Sequence, residues 1–221
     1  MNRLAIFDCD GTLVDSQANI CDAMEKAFAA ARLDPPARDS TRRIVGLSLV
    51  EAMRALLPEG EDALHAALAE DYKRAFQAMR GAGVVHEPLF EGVAECLDAL
   101  AAQGWLLGVA TGKSDRGLAA VLDAHGLAGR FAALHTADRH PSKPHPSMIE
   151  ACIADARAAP ETTVMIGDTS WDIAMARAAG VLAIGVAWGY HAHDELRAEG
   201  ADWVADHPSA IPPWLESRYD S

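Results

Sequence analysis

The chain has 221 residues, of which 50% are hydrophobic and 23% charged, a composition that excludes a disordered or low-complexity chain. Acidic residues outnumber basic ones by 32 to 19, and the net charge of −13 argues against nucleic acid or an anionic membrane as partner. The four cysteines form no C-x-x-C pair, which removes the usual zinc and redox motifs and suits a reducing, cytoplasmic setting. The apolar run before Asp8 is too short for a signal peptide, and the longest weakly polar stretch, 178–190, is too short to span a bilayer.

The first element is a short apolar strand, 4–7, running into Asp8. From 16 to 83 no strand pattern appears. The spacing of apolar residues over 18–31, 49–57 and 61–79 is helical, with breaks at Asp34-Pro35-Pro36 and Pro58-Glu59-Gly60. Hinges are expected near 14–16 and 81–88. Beyond them, helices and apolar strands alternate. Helices are expected at 92–103, 115–125, 146–156 and 171–179, and strands at 106–110, 132–134, 163–166, 182–186 and 202–205. Gly104, Gly126 and Gly180 stand where helices end in a left-handed residue. The tail Ile211-Pro212-Pro213-Trp214 reads as an irregular cover. Alternation of this kind implies an α/β fold, a doubly wound parallel sheet, built from 1–15 and 84–221 and interrupted by an all-helical insert, 16–83.

In such sheets, ligands bind outside the carboxyl ends of the strands. Four unusual segments fall there. Asp8-Cys9-Asp10-Gly11-Thr12 places two carboxylates at the end of the first strand, where a cation or protons must offset them; an acidic turn is the plainer reading. Thr111-Gly112-Lys113-Ser114 offers a hydroxyl and a glycine amide at a helix start, which suits a phosphate or a simple cap. Lys143 sits among Pro141, Pro144 and Pro146, an ammonium in a stiff segment or a solvated loop lysine. Asp168 and Asp172, four residues apart, can face one crevice, although Asp168 or Thr169 could instead cap the helix.

In combination, and in this order, the four segments resemble the haloacid dehalogenase superfamily, in its phosphoglycolate phosphatase-like branch. The matching stretches are Phe7-Asp8-Cys9-Asp10-Gly11-Thr12-Leu13-Val14-Asp15-Ser16, Ala110-Thr111-Gly112-Lys113-Ser114, Lys143-Pro144-His145-Pro146 and Ile166-Gly167-Asp168-Thr169-Ser170-Trp171-Asp172. The helical insert stands where that branch carries its cap domain. The resemblance implies that Asp8 attacks phosphorus and that Asp10 exchanges protons with the leaving oxygen and with water. It implies Mg2+ held by Asp8, the Asp10 carbonyl, Asp168 and Asp172, and phosphoryl oxygens bound by Thr111, Gly112 and Lys143. Arg43 and Gly46 correspond to the substrate-facing segment of the cap, although a charge on a helical insert such as Arg43 is more simply solvated. The expected partner is a small phosphorylated metabolite, with no nucleic acid or membrane, and the expected assembly is a monomer or homodimer. A β-phosphoglucomutase-type sugar-phosphate mutase, a pyrophosphatase and a non-catalytic phosphate-binding module are the alternatives. Because Asp10 is retained, dehalogenase and phosphonate-cleaving chemistry are disfavoured. Ser147 stands where the family often has an acid, which puts the cap of the following helix in doubt. Cys9 is expected to be a small packed residue, and His191 and His193 to lie on the surface.

Overall fold

The structure is a computed structural model and describes residues 1–219. Strand β1 (Asn2–Phe7) is followed by four helices, α1 (Gln17–Ala30), α2 (Arg38–Arg43), α3 (Leu49–Leu56) and α4 (Asp62–Gly81). Alternation then begins with α5 (Val93–Ala102), β2 (Trp105–Thr111), α6 (Asp115–Ala124), β3 (Ala133–Thr136), α7 (Ser147–Ala156) and β4 (Ala158–Gly167). It ends with α8 (Ser170–Ala179), β5 (Leu182–Val186), α9 (His193–Ala198), β6 (Trp203–Ala205) and α10 (Ile211–Tyr219).

The strands form one parallel sheet in the order β3-β2-β1-β4-β5-β6. The doubly wound α/β class read from the alternation is therefore the class observed. Successive side chains of β1 point to opposite faces, as a two-residue period requires. Leu4 and Ile6 pack with Met148 and Cys152 of α7 and Ile173 of α8. Ala5 and Phe7 pack with Leu97 of α5, Leu118 of α6 and Leu215 of α10. Both faces are covered, which is why the strands read as continuous apolar runs rather than alternating ones. Sheet growth reverses between β1 and β4, so a crevice opens at the carboxyl ends of β1, β2 and β4.

Helices α1 to α4 pack around a separate apolar cluster that includes Met24, Phe28, Met53, Leu68 and Tyr72. In α1 the buried positions Ile20, Ala23, Met24, Ala27 and Phe28 recur at three- and four-residue steps, so one stripe faces that cluster. The layer is tied to the sheet where the chain leaves and returns: Val14 bridges Leu89, and the Asp15 N–H donates to the Pro88 carbonyl at 2.9 Å.

Several features differ from the sequence expectation, among them the short helix α9, which no expected element covered. Residues 38–43 form the short helix α2, with Asp39 in its first turn and Arg42 and Arg43 in its last, each favoured by the helix dipole. Strand β4 begins at Ala158, which pairs with Asn2 before a register irregularity leads into Leu4 opposite Thr163. The tail at 211–214 is helical, not irregular. Pro212 and Pro213 fall in the first turn of α10, where a missing N–H breaks no helical bond, and Trp214 stacks on Trp203 with ring centroids 4.9 Å apart.

Candidate active site

Asp8 follows β1 directly, and its N–H donates to the Ile166 carbonyl at 2.9 Å. Its side chain is buried, and neither carboxylate oxygen has a hydrogen-bond partner. Lys143 Nζ stands 2.9 Å from Asp8 Oδ1, an ion pair without hydrogen-bond alignment. The same ammonium donates to Asp172 Oδ1 at 2.6 Å. Lys143 is thus no solvated loop lysine: it is buried between two carboxylates. Burial works against its charge, but Asp172 and Asp8 outweigh that and raise its pKa.

Asp168 lies just beyond β4. Thr12 Oγ1 donates to its Oδ1 at 2.9 Å and the Tyr190 N–H to its Oδ2 at 2.9 Å. Two glycines make room for this carboxylate. A Cβ on Gly11 would stand 2.2 Å from Asp168 Oδ2, and one on Gly189 would stand 2.1 Å from the Asp168 Cβ. Gly11 also has φ +88°, which few other residues adopt. Asp172 sits in the first turn of α8, where its Oδ2 accepts from the Thr169 N–H at 3.0 Å and from Thr169 Oγ1 at 2.7 Å. The helix cap and the acidic site are here the same residues, because the capping box uses one oxygen of Asp172 and Lys143 uses the other.

One carboxylate oxygen from each of Asp8, Asp168 and Asp172 lies within 4.8 Å of the others. Burial, reinforced by Asp172 and Asp10 and opposed by Lys143, pushes the Asp8 carboxyl up to about 6. Burial, with Asp172 and Asp8 adding to it, raises Asp168 as well. Three ionised carboxylates against one ammonium leave a double negative charge, which a single divalent cation neutralises. All the donors are hard oxygens, and the Asp8 carboxylate, ion-paired to Lys143 through Oδ1, has Oδ2 without a protein partner among the described residues, so the donor set fits magnesium. The Asp10 carboxylate is not part of this group.

Asp10 is held from another side. Ser16 Oγ donates to its Oδ1, and so does Lys113 Nζ at 2.7 Å, which leaves Oδ2 without a protein partner. Lys113 also reaches Glu87 Oε1 at 3.1 Å, and Arg80 of α4 reaches Glu87 Oε2 at 2.7 Å. This chain of charges runs from the strand end, through the returning hinge, into the helical layer. Thr111 is buried, and its Oγ1 accepts from the Lys113 N–H at 3.2 Å. Lys113 and Ser16 stand inside the matching stretches of sequence without a role implied for either, and Glu87 stands in none of them. The available signal was an acid, Glu87, inside the expected hinge.

A cavity of about 130 Å³ lies between sheet and helical layer, lined at its floor by Asp8, Asp10, Thr111, Gly112 and Lys113. Gly46 lines its roof, with φ +98°. The roof presses on the floor at Gly112, where a Cβ would lie 2.4 Å from the Gly46 carbonyl oxygen and 2.7 Å from that of Leu47. Arg43 is a correction to the sequence expectation. Its side chain is 67% exposed, pairs with Glu195 at 2.9 Å and does not line the cavity. Its backbone matters instead: the Arg43 carbonyl accepts from Trp171 Nε1 at 3.2 Å and from His191 Nε2 at 3.2 Å. His191 is accordingly buried, not a surface residue, and its Nδ1 accepts from the Ser170 N–H at 3.1 Å. The Ser48 N–H donates to Ser142 Oγ at 2.8 Å, a second tie between roof and core. Helix α7 has no side-chain N-cap, as the serine at 147 suggested; Ser147 Oγ is bonded to His140 Nδ1 at 2.8 Å. Cys9 is buried in the core cluster, and burial, with Asp10 next, keeps its thiol protonated. No helix among the described residues is long and apolar enough to cross a membrane.

The profile of the family described as "Haloacid dehalogenase-like hydrolase" matches residues 5–186. A Dickeya dadantii protein named "Probable phosphatase IndB" is 37% identical, over 96% of this chain and 92% of its own. A phosphoglycolate phosphatase of Agrobacterium fabrum is 33% identical, over 97% of this chain and 93% of its own. The crystal structure of a hydrolase from Pseudomonas syringae superposes with a TM-score of 0.85 at 25% identity, covering 98% of this chain and 99% of that one.

Proposed function

The chain belongs to the haloacid dehalogenase-like hydrolase family, and from that premise we propose a magnesium-dependent phosphatase that cleaves small phosphate monoesters through a phosphoryl group carried on Asp8. The coarser assignment, a phosphatase similar to phosphoglycolate phosphatases, rests on relatives that match nearly the whole chain. The mechanism rests on one observation above all: Asp8 is buried at a strand end, faces the cavity and has two oxygens without hydrogen-bond partners.

In the first step an Asp8 oxygen attacks phosphorus, the ester P–O bond breaks, and the leaving oxygen takes a proton from Asp10. In the second, water attacks the phosphorus, Asp10 takes its proton, and the P–O bond to Asp8 breaks to release phosphate. Lys113 and Ser16 hold Asp10 by one oxygen and leave the other for proton transfer. Thr111, the Gly112 amide and Lys143 would carry the phosphoryl oxygens and steady the transition-state charge. Asp8, the Asp10 carbonyl, Asp168 and Asp172 would hold Mg2+, which supplies charge neutralisation for the incoming phosphate and favours the ionised form of Asp8. With Gly112 against the cap loop, bulk water is kept from the reacting atoms.

The test is phosphate release from a panel of monoesters with Mg2+, with and without EDTA. Peptide mass analysis of acid-quenched enzyme should find a phosphoryl adduct at Asp8. Full turnover by Asp8→Asn would sink the reading, and so would turnover untouched by EDTA. A mutase would convert a sugar phosphate without releasing phosphate.

A further inference from the structure

Which alcohol the phosphate is attached to depends on the cavity above Asp10, and its lining is mostly apolar. Ile20 and Met24 of α1, Val45 and Leu49 of the roof, and Tyr72 and Phe76 of α4 face it. Four cations also line it; two are held by buried carboxylates, and two reach toward solvent. Lys73 pairs with Glu70 at 2.7 Å, Arg80 with Glu87 at 2.7 Å, and Lys113 with both Asp10 and Glu87. The fourth, Arg116, has no partner among the described residues, but it is solvent-exposed, where an ion pair contributes little.

A second anionic group on the substrate would therefore enter an apolar cavity beside two carboxylates and find no uncommitted buried counter-charge. Desolvating a charge without a partner opposes binding strongly. An uncharged body meets the opposite situation. Each methylene taken from water against these side chains strengthens binding by about 0.8 kcal/mol, roughly fourfold. The Tyr72 hydroxyl and the Gln77 amide, which make no hydrogen bonds among the described residues, offer neutral partners to a hydroxyl or carbonyl on the ligand.

We propose that the organic part of the substrate is an uncharged, largely apolar alcohol, so that the enzyme prefers its monophosphate ester to phosphorylated acids and to pyrophosphate. The proposal rests on the phosphatase reading above and names the substrate class of that same site.

The experiment compares kcat/KM with Mg2+ for benzyl phosphate, ethyl phosphate and 2-phosphoglycolate, using the intact chain. Benzyl phosphate should exceed 2-phosphoglycolate by about tenfold or more, with ethyl phosphate between them. An equal or better kcat/KM for 2-phosphoglycolate would overturn the substrate class while leaving the phosphatase reading in place. Failure to release phosphate from any of the three would overturn the phosphatase reading, and this proposal with it.

Discussion

The two halves of the cavity hold their charges in opposite ways. On the core side Asp8, Lys143, Asp168 and Asp172 are buried, and the last three are located by bonds or glycines that leave them little freedom. In the helical layer the ion pairs Arg38–Glu25, Arg54–Asp62 and Lys73–Glu70 lie in solvent, and what faces the cavity is mainly aliphatic and aromatic. Charge in the core is confined and crowded, so changing it alters chemistry and stability together. Charge in the helical layer is screened, so changing it alters little, and selectivity falls to shape and to apolar surface.

The sharpest way to break this contrast is Asp8→Asn. Phosphate release should fall by about a thousandfold or more. The metal-free protein should melt at a higher temperature than the unaltered one, because a crowded buried charge has gone. A lower melting temperature would mean that Asp8 stabilises the fold, against the crowding argument.

Lys143→Met tests the same crowding from the other sign. Removing the ammonium leaves Asp8 and Asp172 facing each other, and denaturant unfolding should show a loss of about 3 kcal/mol. A loss below about 0.5 kcal/mol, the range of surface pairs, would erase the difference between the two halves.

A smaller effect comes from pH. In the folded chain Asp8 and Asp168 keep their protons above the ordinary carboxylate value, Asp8 up to about 6, whereas the unfolded chain releases them near 3.8. Wherever the folded state binds more protons, stability declines as pH rises. Metal-free melting temperature should therefore fall as pH climbs from the unfolded value through about 6. Mg2+ should raise it more at about pH 7.5 than at about pH 5, since on the proposed reading the ionised carboxylates would be its ligands. Equal Mg2+ shifts at both values would contradict the linkage. The smallest effect belongs to Arg54→Ala in the helical layer. Its pairs with Glu51 and Asp62 are exposed, and the denaturation midpoint should not move measurably.

Much of the core side was legible because its signals are local. A carboxylate after an apolar run, a Thr-Gly before a helix and an acid four residues past a strand are each short-range patterns, and the alternation around them places them at one sheet edge. The helical nature of residues 16–83 was legible for the same reason. What escaped depends on distant partners. Tyr190 fixes Asp168 through a backbone N–H from 22 residues away, and Glu87 reaches Lys113 across 26. Neither leaves a periodic trace. Arg43 carried two readings, a ligand clamp near a substrate loop and a plain solvated charge; the exposed guanidinium, drawn off by Glu195, fits the second, while its carbonyl ties roof to core. The tail was misread because a proline pair suggests irregular chain, although prolines are also tolerated in a helix's first turn.

The bare α-carbon of Gly112 carries a consequence for timing. With the Gly46 and Leu47 carbonyls resting where a side chain would stand, the roof bears on one end of the cavity, while its rim at Gln77 and Arg116 reaches solvent. A lift of this loop breaks the ties at the Arg43 carbonyl and the Ser48 N–H. On the proposed reading, wherever exchange of ester and phosphate needs that lift, its rate limits turnover however fast the bond is broken beneath it.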